Sequence, residues 1–200
     1  MPRPDPSRIG VLGGTFDPPH FGHLVAGLEV RHRLGLSKVL FVVANDPWQK
    51  SGLQPVTPAR LRLEMMRAAV AGLDGLEASA LEIDRGGESY TADTLRELRG
   101  LHPEAELLLV VGSDTAQGLD TWKRPSELRE LATTVVVDRP GPSGGRAPTG
   151  WPAVVVEVPA LDVSSCGVRS RFADGRPVEA LVPAAVIEVV RSRGLYGCGR

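Results

Sequence analysis

Cysteine is nearly absent from this chain: Cys166 and Cys198 are the only two in 200 residues. A pair of thiols is too few for a disulfide framework, and a reducing cytoplasm suits them. Charge of one sign is also missing. The formal net charge is -1, so no global field gathers nucleic acid, and any polyanion has to be met by a local cluster of cations. Aromatics make up 4% of the residues, too few to interleave with the charges of "RELRGLH" and "VVRSRG", which read as solvated helix faces rather than a nucleic-acid surface. The opening "MPRPDPSRIG" lacks the apolar core of a secretion signal, and no apolar run approaches the length of a membrane span. A cytoplasmic chain, with neither nucleic acid nor membrane as partner, is the expectation.

What is present is ordinary for a globular fold: 42% hydrophobic and 24% charged residues, enough for a sizeable core in one domain spanning 1–200. Apolar, β-branched runs start at Ile9, Val39, Leu76 ("LEASALEI"), Leu107, Thr133 and Ala153 and read as buried strands. Helical patterns fall between them at 22–34, 58–71, about 91–100, 126–132 and 179–193. In the first, Leu24, Val25 and Leu28 share a face, and in the second Leu61, Met65 and Ala68 do. Alternation of strand and helix implies an α/β fold, a Rossmann-like and mostly parallel sheet with helices on both faces and right-handed crossovers. Ligands then bind beyond the carboxyl ends of the strands. "RPGPSGGRAPTGWP" from Arg139 is rich in Pro, Gly and Ser, and a mobile loop is expected at 140–152.

The stretch "GGTFDPPHFGHL", residues 13–24, lies between the first strand and the first helix. Gly13 and Gly14 let backbone approach a ligand closely, and the helix start aims unpaired N–H groups at the same space, an arrangement suited to phosphate. No GK[ST] makes it a P-loop, and the glycine spacing is not that of a dinucleotide fingerprint. His20 and His23, three apart at the helix start, can both face the crevice and donate to phosphate oxygens. A metal reading needs further ligands, and Asp17 is the one obvious extra candidate nearby.

"GGTFDPPHFGH" resembles the strand, loop and HxGH signature of the nucleotidylyltransferase superfamily, and specifically of bacterial nicotinate mononucleotide adenylyltransferases. "VSSCGVRSRFADGRPVEALVPAAVIEVVRSRGLY", from Val163 to Tyr196, resembles that family's ISSTxIR segment and the helix after it; "GGESYTADTLRELR" and "VGSDTAQGLDTWKRPSEL" resemble its mononucleotide-binding segments. The resemblance runs from Ile9 to Tyr196. It implies adenylyl transfer from ATP, with magnesium, to nicotinate mononucleotide, by alignment and charge stabilisation rather than a covalent intermediate.

The resemblance also implies roles. His20, His23 and Arg169 are the catalytic candidates; Gly13, Gly14, Thr15, Phe16, Ser164 and Ser165 join them around ATP; Lys50, Tyr90, Thr91, Asp114, Trp122 and Arg139 face the mononucleotide. Plainer roles stay open: capping for Ser164, Ser165, Thr91 and Asp114, a surface lysine for Lys50, and closure over the sheet edge for Trp122. Cys166 stands where the family has threonine, which removes a hydroxyl but keeps a backbone N–H. Other functions also fit in outline: another adenylyltransferase, such as one acting on phosphopantetheine, or a nucleotide-binding regulator without turnover. Oligomeric state and the choice between acid and amide mononucleotide are not legible, and a homo-oligomer stays open.

Overall fold

The computed structural model describes residues 7–47, 56–138 and 147–198. Six parallel strands form one sheet: β1 (Arg8–Gly14), β2 (Lys38–Val43), β3 (Leu76–Ser79), β4 (Glu106–Gly112), β5 (Thr133–Asp138) and β6 (Ala153–Glu157), in the order β3-β2-β1-β4-β5-β6. Chain order reverses between β1 and β4, and a crevice opens there beyond the strands' carboxyl ends.

The strands are apolar throughout because both faces of the sheet are covered. Val39, Phe41 and Val43 of β2 join one core with Leu108 and Val110 of β4, while Leu40 and Val42 join a second with Leu107, Leu109 and Val111. The first core is closed by helices α1 (Phe21–Leu34), α2 (Ala59–Val70), α7 (Ser165–Ala173) and α8 (Ala184–Ser192). The second is closed by α4 (Thr91–Leu101), α5 (Ser113–Ala116) and α6 (Pro125–Leu131).

Local departures from the sequence reading have physical causes. "LEASALEI" is not one strand: pairing with β2 ends at Ser79, and a short helix α3 (Leu81–Arg85) follows. The last helix begins at Ala184 rather than 179, because a proline inside a helix lacks its N–H and crowds the preceding turn, so Pro183 serves as the N-cap. In α1 the buried positions are Leu24, Gly27 and Val30, and Leu28 is 38% exposed. Gly27 sets that face: a Cβ there would lie 2.6 Å from the ring of Phe41, so the helix sits directly on the sheet. Residues 147–152 include Trp151, buried in the second core with its indole N–H donating to Asp120; 139–146 lie outside the described residues. No helix among the described residues is long and apolar enough to cross a membrane.

Candidate active site

The crevice has a volume of about 380 Å³, within the range of small-molecule sites. Gly13, Gly14, Thr15, Phe16, His23, Tyr90, Thr91, Trp122 and Ser165 all line it. Segments far apart in sequence thus converge on one space at the reversal point of the sheet.

The loop 15–20 shapes one wall. Phe16 has φ 50, a left-handed backbone, and its ring folds back over Gly14, where a Cβ would lie 2.7 Å from it. Gly14 is therefore small enough to admit Phe16, and it also lines the crevice. At Gly13 a Cβ would meet nothing within 4 Å, and the residue borders open crevice. His20, 3% exposed, is the N-cap of α1. Its backbone N–H donates to His23 Nδ1 at 3.2 Å, and the two imidazoles stack at 3.7 Å. Because Nδ1 of His23 accepts, its neutral tautomer carries the proton on Nε2. The edge of Phe16 packs on the same ring at 5.0 Å. His23 lines the crevice, whereas His20 lies behind it.

Asp17, 5% exposed, spends both carboxylate oxygens within the protein: Oδ2 accepts from the Thr57 N–H at 3.1 Å and Oδ1 from the Tyr196 hydroxyl at 2.5 Å. Among the described residues no cluster of His, Cys, Asp and Glu is arranged to hold a metal ion.

Helix α7 closes over this loop. Ser164 is its N-cap, accepting from Gly167 N–H at 3.1 Å, so the capping role holds for that serine. Ser165 donates to the Pro18 carbonyl at 2.9 Å and borders the crevice. Arg169, one turn on, donates to the Asp17 carbonyl at 2.8 Å. Cys166 is exposed in the first turn.

The opposite wall comes from α4 and the segment between α5 and α6. Tyr90 is the N-cap of α4 and Thr91 its first residue; the Tyr90 hydroxyl donates to Glu88 at 2.5 Å. The Lys123 ammonium lies 4.8 Å from the Tyr90 ring centroid. Trp122 lines the crevice and is partly buried against the second core. The following Arg124 has φ 57 and is held by Asp93 at 2.6 Å and Glu127 at 3.2 Å. Hydrogen bonding to Arg124 holds the Asp93 carboxyl below its ordinary range. Asp114 is exposed at the start of α5, next to the crevice residues Gly112 and Thr115 rather than among them. Lys50 and Arg139 fall outside the described residues.

Sequence reasoning missed Arg62, Tyr196 and Lys123. Arg62 is 1% exposed in the buried face of α2 and donates to three main-chain carbonyls: Thr57 at 2.7 Å, Thr15 at 2.8 Å and Asn45 at 3.0 Å. A signal existed: Arg62 shares the i, i+4, i+7 register with the buried Met66 and Ala69, where an arginine needs a reason.

Comparison with known proteins places the chain in a family. Residues 11–171 match the family model described as "Cytidylyltransferase-like". A Saccharopolyspora erythraea protein named "probable nicotinate-nucleotide adenylyltransferase" is 46% identical over 191 residues, covering 94% of this chain and 89% of its own. A Thermus thermophilus protein of the same name is 46% identical over 189 residues, covering 94% of this chain and 99% of its own. Among solved structures, Plasmodium falciparum nicotinic acid mononucleotide adenylyltransferase complexed with NaAD superposes with a TM-score of 0.76 at 16% identity, over 96% of this chain and 98% of its own, which shows a shared fold. With a family model across most of its length and close relatives over nearly all of it, the chain belongs to the nicotinate-nucleotide adenylyltransferases of the cytidylyltransferase-like family.

Proposed function

We propose that this protein transfers the adenylyl group of ATP to nicotinate mononucleotide, a step of NAD biosynthesis carried out in the cytoplasm. The observation that carries the reading is the crevice itself: His23 and Ser165 on one wall, and Tyr90 with Trp122 on the other, face one space at the sheet's reversal point. One wall suits a triphosphate and the other suits a flat ring.

In this reading an oxygen of the mononucleotide phosphate attacks the α-phosphorus of ATP. The bond from that phosphorus to the bridging oxygen of the β-phosphate breaks, and pyrophosphate leaves with the electron pair. No group on the protein is covalently modified, so catalysis is alignment and charge stabilisation. The Nε2–H of His23 donates to a phosphate oxygen as charge shifts towards the leaving group. The N-termini of α1 and α7, with Arg169, hold the remaining phosphate oxygens. Magnesium enters as part of the substrate, bound by phosphate oxygens and water; this fits a site where both oxygens of Asp17 are already occupied. Trp122 stacks on the pyridine ring, with Tyr90 and Thr91 beside it.

Pyrophosphate release with ATP and magnesium, measured in parallel with nicotinate mononucleotide, its amide and phosphopantetheine, tests this. Preference for the nicotinate form is expected. Release with phosphopantetheine alone would move the protein to another branch of the family, and release with none would make it a nucleotide-binding regulator.

A further inference from the structure

We propose that Asp17, Arg62 and Tyr196 form a buried positioning brace for the ATP half of this reaction, an inference that rests on the function proposed above. None of the three is assigned to contact a substrate. All act on the loop that separates β1 from α1.

Arg62 supplies the first support. Its guanidinium fork spends Nε, Nη1 and Nη2 on the carbonyls of Thr57, Thr15 and Asn45. Thr15 follows β1, Asn45 follows β2, and Thr57 precedes α2. One planar cation thereby fixes three segments at the carboxyl edge of the sheet. Burial lowers the Arg62 pKa, and the negative charge of Asp17 is the largest influence opposing that.

Asp17 is the second. Its side chain is clamped between Thr57 N–H and the Tyr196 hydroxyl, while its main-chain carbonyl receives Arg169. The carboxylate therefore sets the position of the atom on which the candidate catalytic cation rests. Ser165 grips the next carbonyl, that of Pro18, so α7 is docked on the loop at two successive residues.

Tyr196 is the third. Its backbone is left-handed at φ 58 and ψ 27, a conformation that is uncommon for a tyrosine and persists when surrounding contacts impose it. Those contacts are the hydrogen bond to Asp17, an approach to Met65 Sδ at 3.7 Å, and ring packing on Phe172 of α7 at 5.9 Å. Burial, reinforced by the Asp17 acceptor, raises the phenol far above its ordinary pKa.

The pattern predicts which kinetic constants move. Tyr196 and Asp17 touch the loop and α7, where ATP is placed. Arg62 also holds Asn45, which bonds Ser89 and Gly87 beside the mononucleotide wall. Tyr196→Phe keeps the ring on Phe172 and deletes one donor to a carboxylate. It should raise KM for ATP about tenfold and lower kcat, with KM for nicotinate mononucleotide unchanged within about twofold. Arg62→Lys, a single point charge in place of a fork, should raise both KM values.

The experiment is steady-state pyrophosphate release by the wild type, Tyr196→Phe and Arg62→Lys, each varied in both substrates, alongside the melting shift that magnesium ATP produces. A selective ATP defect in Tyr196→Phe, with a smaller ATP-induced melting shift, is expected. Parallel rises of both KM values in Tyr196→Phe, or wild-type constants in either variant, would overturn the brace while the parent activity stands. A wild type that releases no pyrophosphate would overturn the reading of the site, and the brace with it.

Discussion

At the scale of single residues, His23 is the side chain whose removal separates a site from a fold. Its ring is held by the His20 N–H on Nδ1 and packs against Phe16, and the side chain lines the crevice. His23→Ala should lower kcat/KM by about a hundredfold or more, in line with losing one donor to developing charge. Far-UV circular dichroism should stay that of the wild type; turnover within a few-fold of normal would remove His23 from the mechanism. Trp122→Ala addresses the other wall. Losing a stacking partner costs about 1–3 kcal/mol, so KM for the mononucleotide should rise roughly ten- to a hundredfold with kcat changing much less, which substrate titrations at saturating ATP read directly.

At the scale of elements, the segment carrying Trp122 depends on Arg124, whose left-handed backbone is pinned to α4 by Asp93 and to α6 by Glu127. Asp93→Asn should loosen that segment and raise KM for the mononucleotide by a few-fold, the effect of an exposed ion pair of up to about 1 kcal/mol, while KM for ATP holds. The pH dependence has a definite sign. Asp93 titrates below its unfolded range because of Arg124, so its contribution to stability is present above the unfolded pKa and is lost as pH falls through the lower folded value. Differences between Asp93→Asn and wild type in acid unfolding should vanish below that point.

The same scale shows what the sequence could disclose. Strands β1, β2, β4 and β5 were legible as continuous apolar runs because helices cover both faces of a parallel sheet. Helices α3 and α5 were not, since Leu81–Arg85 and Ser113–Ala116 are too short to display a 3.6-residue period. Much of the candidate site was legible because Gly13, His23, Tyr90, Trp122 and Ser165 belong to recognisable motifs and line one crevice. The roles of Arg62 and Tyr196 were not: the former lies in no such motif and bonds main-chain carbonyls, which a side-chain pattern does not encode, and the latter ends a recognised segment but meets its partner 179 positions away. Gly14 shows a second reason for a glycine that the sequence did not display, the ring of Phe16 lying over it.

At the scale of the whole molecule, the crevice joins both halves of the sheet: β1 and β4 flank it, and each core contributes a wall. Substrates bound there favour the folded state by mass action. Magnesium ATP at about a hundred times its Kd should stabilise the protein by about 2.7 kcal/mol, a rise of roughly 5–11 °C in Tm for a chain of this size. Calorimetry with and without nucleotide checks it, and an unchanged Tm at saturating concentrations would remove ATP as a ligand of the native state.

The bond from Tyr196 to Asp17 spans 179 positions, which gives it a meaning in time as well as in space. During synthesis β1 and the loop after it leave the ribosome early, when no phenol yet exists to take the open oxygen of Asp17. The sheet and most of its helices can assemble while translation continues, but the brace is completed only after residue 196 emerges. A nascent chain would therefore hold β1 and the loop after it before it holds the bond that braces them.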